Sequence, residues 1–126
     1  MGDIVKLKVK FIGENAFSFF EEDRLFIIYG SNAKDKDLIS YSVIVESEPI
    51  RQDIKENMIL SFNNQYFKIL KVGEEANKTL KALNHMTLRF EESDLEEYDI
   101  MPGAIILHGI PKNLPAEGDY IVIRNE

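Results

Sequence analysis

A histidine, a threonine and an arginine occupy alternate positions in residues 84–90, which read NHMTLRF. Successive side chains of a β-strand point to opposite faces, so His85, Thr87 and Arg89 are expected to share one face. Such a set could hold a phosphoryl group, with the imidazole as nucleophile or proton donor and the guanidinium as a two-pronged phosphate ligand. Any exposed strand can carry these residue types, so the pattern also fits a structural histidine, hydrogen-bonded where a helix meets a strand.

Other residues that could do chemistry are scarce. The second histidine, His108, follows an apolar stretch with no carboxylate near it in the sequence, which favours a structural role. The chain has no cysteine, and two histidines are too few for the usual three- or four-ligand zinc sites. Glycine-rich phosphate loops and the G-x-S-x-G and H-E-x-x-H signatures are missing from the sequence. The sequence therefore predicts no metal site, and it argues against hydrolase and redox chemistry.

Composition and charge restrict the partners. The 126 residues include 22 acidic and 15 basic side chains, a formal net charge of -7 that repels phosphodiester backbones and anionic lipids. No apolar run approaches the roughly 20 residues needed to span a bilayer, and the first residues lack the basic start of a secretory signal. We therefore expect a cytoplasmic protein that does not insert into membranes or bind nucleic acid.

The hydrophobic pattern is mostly that of short strands. Eight strands are predicted, at residues 5–11, 25–29, 41–45, 58–62, 66–72, 86–90, 104–107 and 120–123. One short helix is predicted at residues 74–83, where Ala76, Leu80 and Leu83 share a face and Asn84 suits a left-handed cap. This pattern is typical of a mainly all-β fold, an antiparallel β-barrel or sandwich of about eight short strands with one short helix.

Two segments and the domain organisation complete this prediction. The apolar pattern in residues 14–23 is too short to decide between helix and strand, and the acidic residues 91–99 are predicted to form a solvated loop. No linker, low-complexity tract or repeat of 20 to 50 residues is present, so residues 1–126 are predicted to form a single domain.

The heptad at residues 84–90 resembles the Gly-His-Val-Thr-Leu-Arg-Phe signature of the glucitol/sorbitol-specific enzyme IIA family of the bacterial phosphotransferase system. Further matches follow in the order of the family at Ile12, Gly13, Leu38, Tyr41, Val72, Gly73, Pro102, Gly103 and residues 115–123. The resemblance implies a small cytoplasmic β-barrel phosphocarrier. Such a protein takes a phosphoryl group from the phosphohistidine of HPr and passes it, without a cofactor, to the IIB component of a membrane sugar permease. Its implied partners are HPr and the IIB and IIC components of that permease.

The resemblance breaks at the acceptor. In the family the phosphorylated histidine lies in an Ile-His-Cys-His-Gly-like stretch, and the matching residues 44–48 read Ile-Val-Glu-Ser-Glu, with Val45 at the acceptor position. Valine cannot accept a phosphoryl group, and a phosphate ester on Ser47 has a far lower transfer potential than a phosphoimidazole. Three interpretations follow: a phosphocarrier that uses His85 with Arg89 and Thr87 as phosphate ligands, a non-phosphorylatable paralogue that acts as a binding or regulatory module, or a likeness of fold alone.

Overall fold

The computed structural model describes residues 3–92 and 99–126, and its strands close into a barrel. The eight strands are β1 Val5–Ile12, β2 Leu25–Gly30, β3 Ser42–Ser47, β4 Ile59–Phe62, β5 Gln65–Val72, β6 Met86–Glu91, β7 Ala104–His108 and β8 Tyr120–Arg124. Around the barrel their order is β1-β3-β2-β6-β7-β5-β4-β8, and β8 pairs with β1. The prediction of a mainly β fold with about eight short strands is confirmed.

Two of the eight pairings differ from the predicted antiparallel arrangement. β2 pairs with β3, and β6 with β7, in parallel, while the other six pairings are antiparallel. A parallel pair requires a connection that carries the chain back along the barrel, usually of a dozen or more residues. Residues 31–41 and 92–103 supply these two connections. Their lengths can be read from the sequence, but the strands that they bring side by side cannot.

Alternate side chains of the strands fill the barrel. On β6, Met86, Leu88 and Phe90 are at most 1% exposed, as the alternation predicted. The Phe90 ring lies at the centre of an aromatic cluster, with centroid distances of 5.1 to 6.4 Å to its neighbours. These neighbours are Phe20, Phe26, Phe62 and Phe67. Because aromatic side chains bury the largest apolar areas, this cluster makes a large contribution to the core.

Three short helices connect the strands: α1 Phe20–Asp23, α2 Lys36–Ser40 and α3 Ala76–Leu83. α3 confirms the helix predicted at residues 74–83, and it ends at Asn84 in the left-handed conformation, with φ 51° and ψ 38°. The other two have four and five residues, too few to show a helical period in the sequence.

The remaining loop predictions have different outcomes. In the segment left open at residues 14–23, residues 14–19 form turns and residues 20–23 form α1. The loop predicted at residues 91–99 falls mostly on residues 93–98, which lie outside the described residues. Among the helices that the structure describes, none combines the length and the apolar character needed to cross a membrane.

The two halves of the barrel repeat one arrangement. In the first half β1 pairs with β3 and β3 runs parallel to β2; in the second half β5, β7 and β6 take the same places. β1 and β5 each carry one register shift, and each is followed by a glycine, Gly13 or Gly73. The Gly13 amide donates to the Ser42 carbonyl at 2.9 Å, and the Gly73 amide donates to the Ala104 carbonyl at 2.8 Å. The glycines lie 60 positions apart, beyond the repeat lengths excluded from the sequence.

Candidate functional site

His85 lies between the end of α3 and the start of β6, and both its backbone and its ring are held. Its amide donates to the Thr79 carbonyl at 3.2 Å, and its own carbonyl accepts from the Thr79 hydroxyl at 2.7 Å. The ring nitrogen Nδ1 lies 3.1 Å from the carbonyl oxygen of Ile28 on β2. The imidazole centroid is 4.8 Å from the ring of Tyr29. The histidine therefore ties α3 to β2.

The contact with Ile28 determines which ring nitrogen is available for chemistry. A carbonyl oxygen can only accept a hydrogen bond, so Nδ1 must carry the proton that His85 donates. In the neutral imidazole Nε2 then keeps its lone pair and can accept a proton or a phosphoryl group. The same hydrogen bond also serves the structural role that the sequence left open, a histidine fixed at a junction of helix and strand.

Arg89 lies near the C-terminal end of β6 and forms an ion pair with the carboxylate of Glu91. Its Nε and Nη2 atoms lie 2.8 and 2.6 Å from Oε2 of Glu91, and Nη1 donates to the carbonyl of Asp99 at 3.1 Å. At about 3.3 Å per strand residue, the backbones of His85 and Arg89 are about 13 Å apart. Thr87 lies between them and is partly buried. The structure places Thr87 and Arg89 on β6 and His85 just before it, without gathering their functional groups at one point.

A cavity of about 530 Å³ opens beside Tyr29 and Asn84. The ring of Tyr29 contacts His85, and Asn84 precedes His85 in the sequence. Residues 29–35, 38, 46–47 and 82–84 line it, so it lies among the ends of β2, β3 and α3 and the start of α2. Gly30 permits this arrangement, because a β-carbon there would lie only 2.7 Å from the carbonyl oxygen of Leu83. The close approach of β2 to α3 forms one wall of the cavity.

The charges around the cavity are more negative than positive. The lining includes one basic side chain, Lys34, and two acidic ones, Asp35 and Glu46. Asp35 accepts hydrogen bonds from two backbone amides at the start of α2, and Glu46 lies 3.8 Å from Nζ of Lys10. The C-terminal end of α3, the negative end of its dipole, also borders the cavity. These surroundings disfavour a phosphate and suit hydroxyl, amide or ammonium groups.

Asn84 caps α3 immediately before His85, and its replacement gives a test of that cap. We expect Asn84→Ala to lower the free energy of unfolding by about 1–2 kcal/mol, because alanine is strained in the left-handed conformation and loses the 2.9 Å hydrogen bond from Nδ2 to the Leu80 carbonyl. Asn84→Gly, which adopts this conformation freely, should cost less than Asn84→Ala. Urea unfolding of both variants measures the difference; equal losses would contradict the assigned cap.

Comparisons with known proteins agree with this architecture. The sequence profile of the PTS system glucitol/sorbitol-specific IIA component matches residues 4–122. The chain belongs to this family. The crystal structure of a PTS system IIA component from Enterococcus faecalis V583 is similar, with 28% sequence identity and a TM-score of 0.76. The similarity covers 92% of this chain and 96% of that chain. A search of curated proteins found no match.

The family resemblance assigns the phosphate acceptor to the position of Val45, and in this IIA component the side chain at that position is buried. The side chain of Val45 on β3 is 0% exposed and belongs to the hydrophobic core. Two residues later, Ser47 lines the cavity, and its hydroxyl donates to the Glu48 carbonyl at 2.6 Å. The acceptor stretch therefore presents a buried valine followed by a hydroxyl that is already hydrogen-bonded.

Several contacts of the site could not be read from the sequence. Ile28 and Tyr29 lie on β2 and contact His85. No local sequence pattern predicts these contacts between distant residues. His108, at the end of β7, lies in register beside Lys68 and Glu91. Within residues 3–92 and 99–126, no three histidine, aspartate or glutamate side chains are grouped so that they could hold a metal ion.

Proposed function

We propose that this IIA component docks on proteins of the sugar phosphotransferase system without carrying phosphate itself. The observation that supports this proposal best is the apolar, fully buried side chain of Val45, at the position where the family resemblance places the acceptor histidine. The cavity beside β3 adds support. Its lining has one basic side chain, Lys34, beside the carboxylates of Asp35 and Glu46, so it offers no excess of positive charge to attract a phosphoryl group.

The proposed partners are those that the family resemblance implies, in the cytoplasm: HPr and the IIB or IIC components of a sugar permease. A chain that docks but cannot accept phosphate would occupy surfaces that phosphate-carrying IIA components also need. It would then slow phosphoryl transfer by competition. The degree of inhibition would be set by its affinity for the partner and by its concentration. This is a regulatory role that needs no cofactor.

The proposal predicts binding without a phosphodonor. Titration calorimetry of the purified chain against HPr, and separately against the purified IIB component, should detect a complex with at least one of them. When the chain is incubated with phosphoenolpyruvate, enzyme I and HPr, its intact mass should stay unchanged. A related IIA component that retains the acceptor histidine is the positive control. Absence of binding to both partners would overturn the proposal.

A second candidate is a phosphocarrier that uses His85, with Arg89 and Thr87 as phosphate ligands. One observation favours it: the hydrogen bond from Nδ1 to the Ile28 carbonyl leaves Nε2 with a lone pair, as a phosphoryl acceptor requires. The phosphate ligands would have to rearrange, because Arg89 is bound to Glu91 and lies about 13 Å along the strand.

The same incubation separates the two candidates. A phosphocarrier should gain one phosphoryl group in an acid-labile, base-stable linkage, which His85→Ala abolishes and the control His108→Ala leaves intact. That result would replace the docking proposal by the phosphocarrier. An adduct that survives His85→Ala would exclude His85 as the acceptor.

A further inference from the structure

One side of the barrel carries a charge opposite to that of the whole chain. The neighbouring strands β1, β8, β4 and β5 contain six basic residues and no acidic residue. The basic residues are Lys6, Lys8, Lys10, Lys68, Lys71 and Arg124. Since the chain has a net charge of -7, the remainder carries -7 minus 6, which is -13. Positive charge is therefore concentrated on these four strands.

Two exposed tyrosines lie among these cations. Tyr66 is 60% exposed and Tyr120 is 43% exposed, high values for large aromatic side chains. Nζ of Lys6 lies 4.7 Å from the ring centroid of Tyr120, and Nζ of Lys8 lies 6.0 Å from it. Cζ of Arg124 lies 5.3 Å from the ring centroid of Tyr66. Each ring thus attracts a cationic group that lies over it.

The strand register joins these residues into one surface. Lys8 is opposite Tyr120 and Lys6 is opposite Val122, which in turn is opposite Ser61 on β4. Ser61 is opposite Tyr66 on β5. Neighbouring strands are about 4.8 Å apart, so the rows of side chains form a continuous patch on a rigid sheet. We call this patch the cationic face; its members are Lys6, Lys8, Tyr66, Lys68, Tyr120 and Arg124.

We propose that the cationic face docks a protein segment rich in aspartate and glutamate. The lysines and Arg124 complement carboxylates, and tyrosine and arginine are among the residue types that contribute most at protein interfaces. An acidic side chain already lies at the edge of the face, where Oε2 of Glu48 is 3.8 Å from Nζ of Lys6. The face shares no residue with the cavity, so this inference does not depend on the proposed function.

Nucleic acid fits the same face less well. An extended phosphodiester chain would run past the cations and meet the strongly negative remainder of the molecule, whereas an acidic peptide can place its charge on the patch alone. The tyrosine rings also have cations over them, which leaves less ring surface for the base stacking that single strands use. Charge complementarity therefore favours a protein partner.

The test uses fluorescence anisotropy with labelled decaglutamate, and decaglutamine as the neutral probe. We expect decaglutamate to bind at low salt and to weaken as salt is added, while decaglutamine does not bind. The double reversal Lys68→Glu with Arg124→Glu should weaken binding at least about tenfold. The matched control, Lys36→Glu with Lys78→Glu, changes the net charge equally at exposed positions outside the face and should alter binding less than about twofold.

Several results would overturn the assignment. These are no binding of decaglutamate, equal binding of the two peptides, or equal loss in the two double variants. Tighter binding of decathymidylate than of decaglutamate would instead assign the face to single-stranded nucleic acid. Thermal unfolding followed by circular dichroism shows that each variant is folded, and Tyr66→Ala with Tyr120→Ala gives a second, uncharged perturbation that should also weaken binding.

Discussion

Replacing Phe90 with alanine is expected to lower the free energy of unfolding by about 3–5 kcal/mol, the range for a large aromatic side chain removed from a packed core. Phe90 is 1% exposed, and its ring contacts four other phenylalanine rings at centroid distances of 5.1 to 6.4 Å. The truncation would leave a cavity bounded by strands from both halves of the barrel, which are paired too closely to collapse into it. Because domains are stable by only about 5–15 kcal/mol, a large part of the total would be lost.

Phe19 provides the matched control. It is 40% exposed, and its ring stacks on Tyr41 at a centroid distance of 5.8 Å. Phe19→Ala removes the same atoms at a position that water already reaches, so we expect a loss of about 1 kcal/mol or less. Urea unfolding should show a shifted midpoint for Phe90→Ala with an unchanged slope. Similar losses in both variants would contradict the central position of Phe90 in the core.

The strands and α3 were predictable because their signals are local. Lys6 and Lys8 alternate with buried Val5 and Leu7 on β1, and a period of two residues identifies a half-buried strand whatever its partner. The same period predicts the core side of β6 for its three apolar positions, without reference to the strands that pair with it. Asn84 was recognised as the helix cap because asparagine tolerates the left-handed conformation that its position demands.

The pairings and the short helices were not predictable in the same way. The parallel alignment of β2 with β3 depends on contacts between residues that are distant in sequence, such as Ile27 opposite Ser42. α2 is fixed by Asp35, whose carboxylate accepts from the amides of Asp37 and Leu38, and one capping residue is too weak a signal to define a helix of five residues. These features follow from tertiary structure.

The candidate site shows the same limit. Alternation correctly put Thr87 and Arg89 on the side of β6 opposite the core residues, but it could not reveal that Glu91 binds the guanidinium. The partner of His85, the Ile28 carbonyl, comes from a backbone 57 positions away in sequence. The sequence identified the residue types, whereas strand register determined which groups meet. The assignment of His85, Thr87 and Arg89 as a phosphate site stays a prediction.

The repeated arrangement of the barrel leads to a prediction about the glycine that follows β5. A β-carbon on Gly73 would lie 2.4 Å from the Pro102 carbonyl oxygen, 2.5 Å from that of Met101 and 2.8 Å from that of Ala104. All three atoms belong to the backbone, so no side chain can rotate away. We expect Gly73→Ala to lower the free energy of unfolding by about 3 kcal/mol or more, at the upper end of overpacking costs, because the connection before β7 must move.

The corresponding position in the first half should behave alike. At Gly13 a β-carbon would lie 2.2 Å from the Ile39 carbonyl oxygen and 2.4 Å from that of Ser40, so Gly13→Ala should cost a similar amount. Gly103→Ala is the matched control, since no atom lies within 4 Å of its added β-carbon. Alanine there should be neutral or stabilise by up to about 1 kcal/mol, by restricting the unfolded chain. Equal stability of Gly73→Ala and Gly103→Ala would contradict the close approach of the backbone to Gly73 at the end of β5. It would also contradict the proposed similarity between the ends of β5 and β1.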